Sequence, residues 1–247
     1  MYSIQKNQIE KIENQSIYIV GGIFTIIALI GILLDVIIGN ITGGNLLALP
    51  QSAVDRFIQL QQNPLLGLYN LDFLNIINQM IMIITYFALF ITHSKTKNPY
   101  ALLAFIIFII GSTIFVTNNV ALQMLELSNK YTSSVTESQK LLFAAAGEGL
   151  LARGAHGSLG VLIGFALPNI AGIIMSFVML KEKVFGKLNS YIGIIGSFLM
   201  TIYVVLVAIV PSVKGMATLF AMPGGLLCMT WMIMFTIRFF KLGFAKK

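Results

Sequence analysis

The sequence predicts an all-α polytopic membrane protein, a bundle of six transmembrane helices with both termini cytoplasmic and short amphipathic helices on the outer side. Three observations carry this. Of the 247 residues, 57% are hydrophobic and only 10% charged, with a mean hydropathy of +0.88, whereas a soluble domain carries about 25% charged residues to cover its surface. Six mostly apolar runs meet the roughly 20 residues that a helix needs to cross about 30 Å of hydrocarbon. The basic residues then divide unevenly between the two sides that six crossings define. This composition excludes a conventional soluble enzyme, a nucleic-acid-binding domain and a disordered chain, each of which needs far more polar surface.

The first run, 17–38, follows a polar segment containing Lys6, Glu10, Lys11 and Glu13. At about 22 residues it exceeds a signal-peptide core, so it reads as an uncleaved first span. Runs 71–91, 100–125, 156–180, 191–210 and 216–240 supply the other five, and together they make one integral membrane domain over 1–247. The runs are continuous rather than alternating, which selects helices over barrel strands. Pro223, Gly224 and Gly225 inside the sixth run invite a kink or a late helix start.

Two outer connections are long enough to fold. In 50–62, Val54, Phe57 and Ile58 fall at i, i+3 and i+4, the spacing of a short amphipathic helix on the membrane surface. Thr136 and Gln139 form a T-x-x-Q capping box, which predicts a helix from Glu137 toward Arg153.

The net charge of +7 is read first as an orientation signal and not as a nucleic-acid footprint. The inner segments hold Lys6, Lys11, Lys95, Lys97, Lys181, Lys183, Lys187, Arg238, Lys241, Lys246 and Lys247, which is 11 of 16 basic residues. The outer side keeps Arg56, Lys130, Lys140, Arg153 and Lys214. The positive-inside rule therefore supports both the span count and the orientation, in a cell membrane.

Polar residues concentrate in the outer half. In span two Asp72, Asn75 and Gln79 lie at i, i+3 and i+7; in span three Asn119, Gln123 and Glu126 lie at i, i+4 and i+7. Asp35 falls near the outer end of span one, and Arg153 and His156 at the outer start of span four. Polar groups facing lipid cost several kcal/mol each, so the stripes should face one another. The expectation is an outward-opening pocket between spans one to four, with Asp35, Asp72, Asn75, Asn119, Gln123, Glu126, Arg153 and His156 as ligand-binding residues. The amides also suit plain helix packing. Asp35 at the interface also suits simple hydration.

Other chemistry finds little support. One histidine on this side, with no H-x-x-x-H or E-x-x-H spacing, does not make a metal site, and the single Cys228 allows neither an intramolecular disulfide nor a thiolate cluster. No G-x-S-x-G elbow, Walker A loop or dinucleotide fingerprint is present, and no cofactor or catalytic residue is assigned. Gly160 and Gly164 form GxxxG, and Gly149, Arg153, His156, Gly160 and Gly164 share one helical face, so span four should approach a neighbour closely.

The stretch 121–151, with its MLELSNKYTSSVTESQKLLFAAAGEGLL core, and the segment KEKVFGKLNSYIGIIGSFL at 181–199 resemble a prokaryotic family of multi-pass membrane proteins known as a domain of unknown function. The resemblance implies a bacterial or archaeal cytoplasmic membrane protein and names no catalytic residue.

The expected function is a non-enzymatic membrane protein that binds a small polar or amphiphilic ligand, or a membrane protein partner, in the outer pocket, with the lipid bilayer as its surroundings. One alternative is a secondary transporter coupled through Asp35, Asp72 or Glu126, although no paired broken helices or repeat halves are visible. Another is an intramembrane enzyme using Glu148, Arg153 and His156, which would require His156 within hydrogen-bond reach of an acid.

Overall fold

The computed structural model describes residues 2–41, 49–94, 98–210, 212 and 214–245, with the side chains of 2–14, 214 and 215 left aside. Lys95, Lys97, Lys246 and Lys247, four of the basic residues behind the expected orientation, lie outside the described residues. The described residues form ten α-helices and no strand. Six helical stretches are long and apolar enough to cross a membrane.

The spanning helices are α1 (Tyr2–Ile41), α4 (Phe73–Ser94), α5 (Pro99–Asn118), α8 (Leu159–Glu182), α9 (Lys187–Ile209) and α10 (Lys214–Gly243). Each packs on the next in chain order, and α10 returns to α1, so the six close into a ring. Short connections make α4 and α5, α8 and α9, and α9 and α10 antiparallel neighbours, whereas the α1–α4 and α5–α8 links, 42–72 and 119–158, are long and carry the other four helices. The core is apolar and aromatic: Tyr86 stacks on Phe108 with centroids 3.8 Å apart, and Phe235 and Phe239 are fully buried. Inside it, Thr25 of α1 meets Thr85 of α4 at 3.2 Å.

The remaining helices, α2 (Ala53–Gln62), α3 (Pro64–Tyr69), α6 (Ala121–Ser133) and α7 (Glu137–Gly154), form a cap over one end of the ring. Its own core joins Phe57, Leu60, Leu71, Val120, Met124 and Leu151. Helix α7 begins at Glu137 with Thr136 accepting from the Gln139 N–H at 3.2 Å, as the capping box predicts. In α2 the buried face is Ala53, Arg56, Phe57 and Leu60, whereas Ile58 is exposed. The helix therefore sets its apolar side on the other cap helices, and the Val54, Phe57 and Ile58 spacing does not describe its packed face.

Two expected continuities are broken. The third span ends at Asn118, and Asn119 and Val120 interrupt the chain before α6. The fourth span begins only at Leu159, because residues 155–158 turn between α7 and α8. The face shared by Gly149, Arg153, His156, Gly160 and Gly164 is accordingly divided. Close approach survives at Gly164, where a Cβ would stand 2.8 Å from the Phe115 backbone of α5. Helix α10 runs through Pro223 from a start at Lys214, so the proline does not delay it.

At the opposite end of the ring, the buried His93 ring pairs through Nδ1 with Glu182, and Asn98 Nδ2 donates to the same carboxylate at 2.9 Å. This ties α4, α5 and α8 together at the end of the ring away from the cap.

Candidate functional site

The two interruptions and the turn before α4 meet beneath the cap. Asp72 lies outside the spanning helices, in the turn between α3 and α4, with φ of 62°. Asp tolerates this left-handed backbone better than most residues, because its short polar side chain bonds locally. Its carbonyl accepts from the Ile76 N–H at 3.2 Å, so the carboxylate sits at the positive start of α4. The Asn75 amide donates to Oδ1 at 3.0 Å.

His156 occupies the turn between α7 and α8 and faces Asp72. Its Nδ1 lies 3.0 Å from Asp72 Oδ2, and its Nε2 lies 2.9 Å from the Tyr203 hydroxyl of α9. An ionised carboxylate only accepts, so Nδ1 carries the hydrogen. A neutral ring then accepts the Tyr203 O–H at Nε2, and a protonated ring donates to the phenol oxygen instead. Either form is fully partnered, which fixes the ring in place. Burial pushes the Asp72 carboxyl up, but His156, Asn75 and Arg56 outweigh it and hold the group below its ordinary range.

Neighbouring residues build the frame. Asp35 lies within electrostatic reach of Asp72 and His156, and its backbone carbonyl accepts from the Tyr69 hydroxyl at 2.8 Å. Burial, followed by the Asp35 charge, pushes that phenol up to about 12, so it stays a donor. Asn119 is buried and donates to Leu71 O at 2.7 Å while accepting from the Ala121 N–H, which pins the α5–α6 break against the Asp72 turn. Arg153 donates to Asn118 Oδ1 and Thr117 O, closing the end of α5, and Asn118 donates to Gly160 O. Glu148 accepts from the Ala53 N–H at 2.6 Å, capping α2 from another helix.

The predicted residues thus separate into groups. Asp72, Asn75 and His156 come together, Asp35 lies close by, and Asn119 and Arg153 hold the surrounding backbone. Gln123 and Glu126 do not reach the site: both are exposed, and Glu126 pairs with Lys130 at 2.6 Å. The break at Asn119 is the cause, since residues on α6 no longer continue the face of α5. Glu148 is likewise placed at a helix cap and Arg153 at a helix end, apart from the imidazole.

Tyr203 and Arg56 are additions that stripe counting in the early spans does not reach. Arg56 is buried; one guanidinium nitrogen donates to Asn70 O at 3.2 Å, and its Nε has no partner among the described residues. Gln51, Arg56, Leu151, His156, Ser158 and Val207 line a cleft of about 200 Å³. A smaller apolar recess shares His156 and Ser158 and continues between Phe165, Tyr203 and Val204. The cleft is therefore enclosed by residues 49–51, α2, the end of α7, the α7–α8 turn and α9, and no residue of the first three spans, α1, α4 and α5, lines it, contrary to the expected pocket between spans one to four. Among the described residues no group of three metal-ligating side chains converges.

No curated protein and no solved structure matches the chain. A family model does match, over residues 17–238, which takes in the cap, four of the six spanning stretches whole and most of the first and the sixth. The chain belongs to the family described as Domain of unknown function (DUF4386).

Proposed function

We propose that the protein binds a small amphiphile with an anionic or hydrogen-bond-accepting head in the outward-facing cleft over His156, without chemical turnover. The observation that carries the reading is the pairing of a polar cleft of about 200 Å³, walled by Arg56, Gln51, His156 and Ser158, with an apolar recess leading from the same histidine. A guanidinium whose donors are only partly used inside the protein favours a carboxylate or phosphate-like acceptor. A recess between Phe165, Val204 and Tyr203 suits an apolar tail.

Octanoate and octanol, added to the protein in nanodiscs, test this by thermal shift. Octanoate should raise the melting temperature more than octanol, and Arg56→Gln should remove that difference while leaving the folded yield intact. Equal shifts for the two probes, or an octanoate effect unchanged by Arg56→Gln, would overturn the proposal.

A second reading, acid–base chemistry, draws on the Asp72, His156 and Tyr203 chain, in which a proton leaving the phenol could pass to an imidazole oriented by a carboxylate. It differs from the expected enzyme set, because Asp72 supplies the acid in place of Glu148.

A further inference from the structure

The half of the ring away from the cap holds a group of polar side chains that the cleft does not explain. Asn189, near the start of α9, is fully buried, and neither its carboxamide oxygen nor its nitrogen has a partner among the described residues. Ser176 of α8 and Trp231 of α10 are also buried, with Ser176 Oγ and Trp231 Nε1 equally unpartnered. Gly193 follows Asn189 by one helical turn on the same face. A Cβ at Gly193 would collide with Ser176 Oγ and stand 2.6 Å from Trp231 Nε1. Helices α8 and α10 therefore bring unsatisfied polar atoms to the Gly193 position of α9, one turn from the unsatisfied Asn189, and residue 193 leaves room for them only because it has no side chain.

The donor and acceptor types identify the ligand. The indole N–H only donates, the carboxamide offers one acceptor and two donors, and the hydroxyl does both. No charged side chain belongs to the set. A bare cation would be opposed by the indole N–H, and an anion would find no compensating charge. A neutral molecule that both donates and accepts satisfies all three groups, and buried waters ordinarily make about three such bonds. We propose that Ser176, Asn189 and Trp231 form a buried hydration site, with Gly193 as its floor.

The site has a place in the wider fold. Asn189, Gly193, Ser197 and Tyr203 fall on one face of α9, and Asn189 and Tyr203 are separated by about 21 Å along the axis. Midway, the Ser197 and Tyr86 hydroxyls lie against Gly172 of α8, at 2.6 and 3.3 Å from where its Cβ would stand. The hydration site thus shares a face of α9 with Tyr203, the partner of His156. It stands independently of what occupies the cleft.

Trp231 is the only tryptophan in the chain, so fluorescence excited at the long-wavelength edge, where the tyrosines do not absorb, reads this spot alone. In the full-length protein, a water-bonded indole should emit toward longer wavelengths and gain quantum yield on transfer from H2O to D2O. Asn189→Val, Ser176→Ala and Gly193→Ala should each shift the emission to the blue and bring the D2O gain toward unity. The wild-type solvent-isotope reading stands even if a variant fails to fold. A blue emission in wild type with no D2O gain would overturn the proposal, as would folded variants that leave both signals unchanged.

Discussion

Asp72 and His156, 84 positions apart, meet at 3.0 Å between carboxylate and imidazole, and each lies in a turn that separates a cap helix from a spanning helix. The contact therefore couples the α3–α4 turn to the α7–α8 turn and sets where α4 and α8 begin relative to each other. Asp72 accepts a left-handed backbone to make it, at a cost of about 1–2 kcal/mol that the surrounding bonds offset.

Asp72→Asn keeps the shape but removes the charge. It should destabilise the protein by about 1–3 kcal/mol, the cost of weakening a hydrogen-bonded, largely buried group. The sign of the pH dependence follows from the direction of the Asp72 shift. A carboxyl held below its ordinary range adds stability that is fully present above its unfolded value of about 4 and is lost as pH falls through the folded one. Melting curves on acidification below about pH 4 should therefore show a decline in wild type that is smaller in the variant. Parallel declines would remove Asp72 as the source.

The α5–α8 seam gives a test of packing. Gly164→Leu would force a side chain into space where even a Cβ stands 2.8 Å from the Phe115 backbone, and should cost about 1–3 kcal/mol. Gly149, within α7, has no atom within 4 Å of its Cβ position. Gly149→Ala should stabilise by about 0.4–1 kcal/mol through the unfolded chain. Thermal denaturation of both variants checks the pair, and equal effects would refute the close contact.

The spans and the α7 start were legible because they depend on local signals, namely apolar length and a capping box. The site was legible only in part because it depends on where helices stop. Treating 100–125 as one helix places Asn119, Gln123 and Glu126 on one face, yet the backbone turns at Asn119 and leaves Gln123 and Glu126 exposed. The neighbouring Asn118 and Asn119 are residues that favour caps and turns over helix interiors, and they carried the missed signal. The glycines at 154 and 157 did the same for the α7–α8 turn, where Gly157 adopts φ of 76°. Tyr203 had no such local cue, since only tertiary packing turns it toward His156.

Orientation can be checked with cysteines in a Cys228→Ser background. Ser133 lies at the end of α6 in the cap, and Lys183 lies at the other end of the ring. Ser133→Cys should react with a membrane-impermeant maleimide on intact cells, and Lys183→Cys only after lysis, if the basic residues orient the chain inward. The reverse pattern would invert the assignment and place the cleft on the inner side.

Glu148 separates a structural role from a chemical one. Its carboxylate accepts from the Ala53 N–H at 2.6 Å, while Ser52 accepts from the Asp55 N–H at 3.1 Å, so two side chains satisfy the start of α2. Helix α2 carries Arg56 into the cleft wall, and the Glu148 contact thereby positions that guanidinium from a distance. Glu148→Ala should cost about 0.5–2 kcal/mol, the range for loss of a helix cap, and should weaken octanoate binding through a looser α2. Glu148→Gln still offers an amide oxygen to the same N–H, so it should recover most of the stability and the binding. An acid–base role would behave differently, because the amide cannot exchange a proton as the carboxylate does. Melting temperature and octanoate binding for the two variants therefore decide the matter: a glutamine variant as impaired as the alanine variant would contradict the capping role.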